Sequence, residues 1–144
     1  PGLQRKGPVR VHAEMERRVF LLKLFPGMAP ELALGLLGQV RGLVVEAFGS
    51  GNFPMEGSEG SLLPLFEQAK AKGVPVVLTS QAHRDGVDLD LYQAGSRARA
   101  LGVFNAGPMT TEACVVKLMH LLARHGDVAT LREQFERDLA GERS

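Results

Sequence analysis

Short apolar runs recur along this chain, each followed by a stretch of helical periodicity, and that alternation limits the folds open to it. The runs span Val19–Leu24, Leu43–Phe48, Val74–Thr79 and, more briefly, Val103–Asn105. Phe25-Pro26-Gly27 closes the first run with a strong turn signal. Pro30 then suits a first helical turn, and Leu32, Leu36 and Leu37 lie at helical spacing over a short helix ending near Gly38. Ser58 or Ser61 can cap a second helix, with Pro64 in its first turn and Leu62, Leu65, Phe66 and Ala69 as its inner stripe. Lys70 and Lys72 complement the negative end of that helix, and Gly73 caps it. Pro75 is acceptable at the start of the third strand, where no ladder donor is needed.

A third helix is expected over Tyr92–Leu101. Thr110 or Thr111 caps a long fourth one, with Glu112 in its first turn. Its inward residues read as Val115, Leu118, Met119 and Leu122, leaving Ala113, Lys117, His120 and Arg124 on the other side. Gly126 ends it, and Asp127 caps a last helix carrying Val128, Leu131, Phe135 and Leu139 on one face. This order predicts an α/β, three-layer fold: a parallel sheet of about four strands with helices on both faces, flavodoxin- or Rossmann-like. Crossovers should be right-handed. Residues 1–17 are polar and basic and read as an interdomain linker remnant with an extended piece at Val9–His12, leaving 18–144 as the folded domain. The opening Pro1-Gly2 suits an excised domain.

At 144 residues the chain fits one domain. No apolar run approaches the ~20 residues that span a bilayer. Net charge is +1, from 17 basic and 16 acidic residues, which argues against nucleic acid or another polyphosphate as partner. The single cysteine rules out an intrachain disulfide.

The sharpest local signal is Gly49-Ser50-Gly51-Asn52-Phe53-Pro54, directly after the second strand. In an open parallel sheet, ligands are met by loops at the carboxyl ends of strands, and two glycines permit close backbone approach there. The loop is not a dinucleotide fingerprint, because the third glycine is missing and Pro54 follows. It lacks the spacing of a nucleophile elbow as well. From the residues alone, Asn52 reads as a tight-turn residue bonding its own backbone.

Two longer segments widen the view: Gly42 to Pro54, and Gly86 to Gly95 continuing through Gly102-Val-Phe-Asn-Ala-Gly-Pro-Met-Thr-Thr-Glu112-Ala113 to Lys117-Leu-Met119. In this order they resemble the C-terminal domain of the L-asparaginases, cytosolic-type and archaeal-like members above all. The resemblance runs from about Val19 to Glu142 and covers only the second half of that family's enzyme. It implies hydrolysis of L-asparagine to L-aspartate and ammonia by a cytoplasmic homodimer or homotetramer, without metal or cofactor. The family's nucleophilic threonine, second threonine, aspartate and lysine belong to the other domain, so no catalytic residue is carried onto this chain, and the chain alone is expected to be inactive. The resemblance further implies that Asn52, with Ser50 as a weaker neighbour, reaches the active site of the adjoining subunit and binds the substrate's α-amino end. Glu46 stands where allosterically controlled bacterial members have an arginine that binds asparagine at a second site. A carboxylate cannot supply bidentate donors, so that activation is not carried over. Two other readings share these residues: the asparaginase-like subunit of a tRNA-dependent amidotransferase, and a non-catalytic α/β interaction module.

The remaining polar residues carry weaker signals. Asp85, Asp88 and Asp90 lack the turn glycine and closing glutamate of a hard-cation loop and read as solvated carboxylates. His12, His83, His120 and His125 show no paired spacing on one helical face, and Cys114 cannot complete a zinc set. Cys114 lies near a helix start, which can lower a thiol pKa, but an inert buried thiol is the expectation. Tyr92 is read as packing with a bonded hydroxyl, and Met109-Thr-Thr-Glu112 as an N-capped helix start.

Overall fold

The computed structural model describes residues 8, 10–49, 51–54, 60–82 and 93–144, apart from the side chains of Gln93 and Ala94. Four strands, β1 (Val19–Lys23), β2 (Gly42–Ala47), β3 (Val76–Ser80) and β4 (Phe104–Asn105), form one sheet in the order β1-β2-β3-β4, every pair parallel. The helices are α1 (Glu31–Leu36), α2 (Leu63–Ala71), α3 (Gln93–Ala100), α4 (Thr111–Leu122) and α5 (Val128–Glu136).

A strand order that follows the chain has a geometric consequence. Parallel neighbours joined by crossovers of one hand place all the connecting helices on the same face. The packing agrees: Leu43, Val45 and Ala47 of β2 and Val76 and Leu78 of β3 share one core with Leu37, Leu65, Phe66 and Ala98. The intervening Val44 and Val77 point to the opposite face, which α4 and α5 cover with Cys114, Leu118, Leu121, Leu131 and Phe135. The expected three-layer architecture is therefore present.

Local signals act at the positions where the sequence places them. Thr110 Oγ1 accepts from Ala113 N at 3.2 Å and Asp127 Oδ1 from Thr130 N at 2.8 Å, capping α4 and α5. The cap expected of α2 differs: Leu62 is its N-cap residue and bears no side-chain cap, Ser61 Oγ one residue earlier accepts from Leu63 N at 3.3 Å, and Ser58 lies outside the described residues. Gly73, at φ +67°, adopts the left-handed conformation after α2.

Three helical stripes differ from expectation. In α1 the buried residue is Ala33, joined by Leu37 just past its end, and Leu32 is exposed to 76%. The helix is too short, at six residues, to hold a wide stripe. In α5 only Leu131 and Phe135 are buried; the helix stops at Glu136, so Leu139 is not on its face. In α4 the buried set is Thr111, Cys114, Lys117, Leu118 and Leu121, while Val115, Met119 and Leu122 are half-buried. Lys117 is the inversion. Its ammonium donates to Glu142 and to the Arg137 carbonyl and lies 5.4 Å from the centre of the Phe135 ring. A lysine can be buried when its charge is paired in this way. Among residues 10–18 no strand forms; the segment runs against α4, with Glu16 N donating to Met119 O at 3.0 Å.

Candidate functional site

The loop after β2 closes on itself. Phe48 N donates to Asn52 O at 2.9 Å and Asn52 N to Phe48 O at 3.0 Å, an isolated antiparallel bridge, with Gly51 N on the same Phe48 carbonyl at 2.8 Å. So tight a reversal needs positive φ, supplied by Gly49 at +39° and Gly51 at +97°. The next residue fastens the loop to the core: Phe53 is 5% exposed and meets Phe66 edge to face, ring centres 5.3 Å apart. Leu62 N then donates to Pro54 O at 3.1 Å, tying the loop to the start of α2.

Asn52 therefore has a fixed backbone, yet its side chain is exposed and makes no hydrogen bond among the described residues. The turn is held by main-chain bonds, so the self-bonded asparagine expected from the residues alone is not what the structure holds. Ser50 lies outside the described residues, as do His83, Asp85, Asp88, Asp90 and Tyr92.

Around this loop the carboxyl rim of the sheet is cross-tied. Gln81 N donates to Ala47 O at 3.0 Å and its Nε2 to Leu24 O at 2.8 Å, linking the ends of all three long strands. Glu46 is 8% exposed and faces Lys23, its register partner on β1, at 3.2 Å. A cavity of about 380 Å³ opens beside the loop, lined by Leu24, Phe25, Met28, Phe48, Pro54 and Leu62 among others. Its walls offer apolar contact and backbone polarity; among the described residues they carry no acid, base or nucleophile. Such a rim can position a polar side chain and receive a neighbouring apolar element.

Cys114 is fully buried between α4 and the sheet. Burial pushes its thiol up to about 11, and a hydrogen bond with Thr79 and the charges of Arg143 and Lys117 offset only part of this. Among the described residues no three His, Cys, Asp or Glu side chains are grouped to hold a metal ion.

Sequence reasoning missed Phe53, Gln81 and the buried Lys117. An apolar residue directly after a glycine-rich turn was the available hint for Phe53. Gln81 gave none, because its partners lie far off in sequence, Ala47 on β2 and Leu24 just past β1.

The model of the Glutaminase/Asparaginase C-terminal domain matches residues 18–135. The L-asparaginase of Thermococcus kodakarensis is 39% identical over 129 residues, covering 90% of this chain and 38% of that protein. A glutamyl-tRNA(Gln) amidotransferase subunit of Aeropyrum pernix is 38% identical over 128 residues, covering 88% of this chain and 29% of that protein. Among solved structures, the thermostable L-asparaginase from Thermococcus kodakarensis superposes with a TM-score of 0.83 at 35% identity, over 97% of this chain and 44% of its own. L-asparaginase I from Vibrio cholerae gives 0.77 at 27% identity, over 88% and 38%. The chain thus spans less than half the length of these relatives.

Proposed function

This chain belongs to the Glutaminase/Asparaginase C-terminal domain family, and from that premise we propose that it serves as the C-terminal half of an enzyme hydrolysing L-asparagine to L-aspartate and ammonia. Residues 18–144 are the domain, and residues 1–17 are the remnant of the linker to the catalytic half. The chemistry, an acyl-enzyme on a threonine with an oxyanion hole, resides in that other half. This domain contributes the interface of a cytoplasmic homodimer or homotetramer and presents Asn52, with Ser50 beside it, to the neighbouring subunit's active site.

One observation carries the reading. Asn52 is a polar side chain without a hydrogen-bond partner among the described residues, at the carboxyl end of a parallel strand, on a loop that main-chain bonds and Phe53 hold rigid. A hydrogen-bonding group held in place and left unpaired is suited to a ligand from outside the domain.

The test is Asn52→Ala in the full-length enzyme. The lost bond exists before the transition state, so KM should rise more than kcat falls, by about 0.5–3 kcal/mol in kcat/KM, the upper end applying if the bond meets a charged group. Mixing this variant with one lacking the threonine nucleophile should restore activity through a heterodimer that joins an intact nucleophile to an intact Asn52. No gain, despite demonstrated subunit exchange and a clear single-variant defect, sinks the cross-subunit role.

The match to an amidotransferase component at 38% identity favours a second reading, a chain that supplies ammonia to a tRNA-dependent amidotransferase. Ammonia release by the purified full-length protein without a partner chain or tRNA supports the first reading; release only with both supports the second.

A further inference from the structure

We infer that the amino-terminal end of the sheet carries a binding site for a small phosphate ester with an apolar body, such as a nucleoside diphosphate. It lies at the opposite end of the strands from Asn52 and does not depend on the function proposed there.

A groove of about 330 Å³ opens where β1, β2 and β3 begin, and four basic side chains from separate parts of the chain line it: Arg18, Arg41, Lys72 and His125. The main chain joins two of these segments, Arg41 N donating to Arg18 O at 2.7 Å. Among the described residues no acid lines the groove. The acids nearest in sequence are committed elsewhere. Glu16 takes Arg18 through both oxygens, at 3.1 and 3.0 Å, and feels Arg41 only as a more distant charge; Asp127 caps α5 and feels His125 likewise. Arg41, Lys72 and His125 have neither a side-chain hydrogen bond nor an ion pair among the described residues.

Lys72 and His125 follow the ends of α2 and α4, and the ordinary reading of such residues is that they answer the helix carbonyls. Here neither side chain bonds a helix carbonyl, and the main chain serves several of them. Gly73 N bonds Lys70 O at 3.1 Å and Val74 N bonds Ala69 O at 2.9 Å; Arg124 N and His125 N both bond Leu121 O, at 3.0 and 2.9 Å. The Lys72 ammonium and the His125 imidazole are left for another partner. A net charge of +1 hides them, because net charge is blind to where charges gather.

The apolar body follows from what adjoins the groove. A second cavity, of about 270 Å³, adjoins the first across Gly73, Val74, Pro75 and Val128 and is lined further by Phe66, Leu101 and Val103. The pair offers a cationic rim followed by an apolar annex. Phosphates would take the rim through charge-assisted hydrogen bonds, and the rest of the ligand would fill the annex.

Calorimetric titration with ADP, inorganic pyrophosphate and adenosine, at low and high salt, tests this. Saturable one-to-one binding of ADP is expected, tighter than either part alone and weakened by salt. Arg41→Gln combined with Lys72→Gln alters two exposed side chains and should leave the melting temperature in place while weakening ADP binding roughly tenfold or more. Absence of ADP and pyrophosphate binding at millimolar concentration, or equal binding by the parent and the double variant, overturns the site. Pyrophosphate binding as tightly as ADP overturns the part assigned to the annex.

Discussion

Deleting either half of the Lys117–Glu142 pair should destabilise the domain, and Glu142 should be the costlier loss. Lys117 is 5% exposed at its side chain and Glu142 17%. With Glu142→Gln the buried ammonium keeps only the Arg137 carbonyl, the Phe135 ring and a neutral amide. Breaking a fully buried pair costs ~3–5 kcal/mol, and Glu142's partial exposure moves the expectation to about 2–4 kcal/mol. With Lys117→Met the carboxylate left behind is better provided for: Leu139 N donates to it at 3.1 Å and Ala140 N at 2.7 Å, and water reaches it. Methionine also packs well against an aromatic ring, so the loss should be about 1–2 kcal/mol.

Urea unfolding at pH 7 measures both, and the double variant gives the coupling. The pH dependence is a second check. Burial pushes Glu142 up, but the Lys117 hydrogen bond and the N–H groups of Ala140 and Leu139 outweigh it, leaving the carboxyl at about 2 against an ordinary 4.5. A depressed folded pKa means the stabilisation is complete above the unfolded value and drains away as pH falls through the folded one. The gap between parent and Glu142→Gln should therefore be constant above about pH 5 and shrink towards pH 2. A larger loss from Lys117→Met than from Glu142→Gln, or a gap unchanged at pH 2, would refute the reasoning.

Two further outcomes follow from the core. A Cβ on Gly42 would lie 2.8 Å from Leu122 Cδ1 and 2.9 Å from Leu118 Cδ2, so Gly42→Ala should force these two side chains to repack between α4 and β2 and cost about 1–3 kcal/mol in a urea titration. Cys114, with its thiol held at about 11 by burial, should resist a thiol-specific disulfide reagent at pH 8 in the native protein and react fully once unfolded; rapid native reaction would contradict its placement.

The sheet is legible in the sequence because short-range signals agree with one another. The Val74–Thr79 run, the Gly73 cap, the Asp127 cap and the α2 stripe each point to the observed element without any knowledge of tertiary contacts. The α4 stripe is not legible in the same way. Periodicity places a lysine on the solvent side by its charge, and only the fold reveals Glu142, some 25 residues on, waiting to pair with it. The site divides along the same line. Glycines at 49 and 51 mark a loop, but the Phe48–Asn52 bridge is made of main-chain groups that every residue owns, so sequence could not separate a self-bonded asparagine from one left free.

The strictly sequential strand order also bears on how the chain emerges from a ribosome. The face shared by α1, α2 and α3 can be covered almost as each strand is made. The Val44 and Val77 face must wait for α4 and α5, which come last. At about 5–20 residues per second, that wait after β3 lasts on the order of several seconds. For that time the nascent sheet has one finished side and one bare apolar side, the side on which a chaperone would be expected to bind and on which premature aggregation would begin.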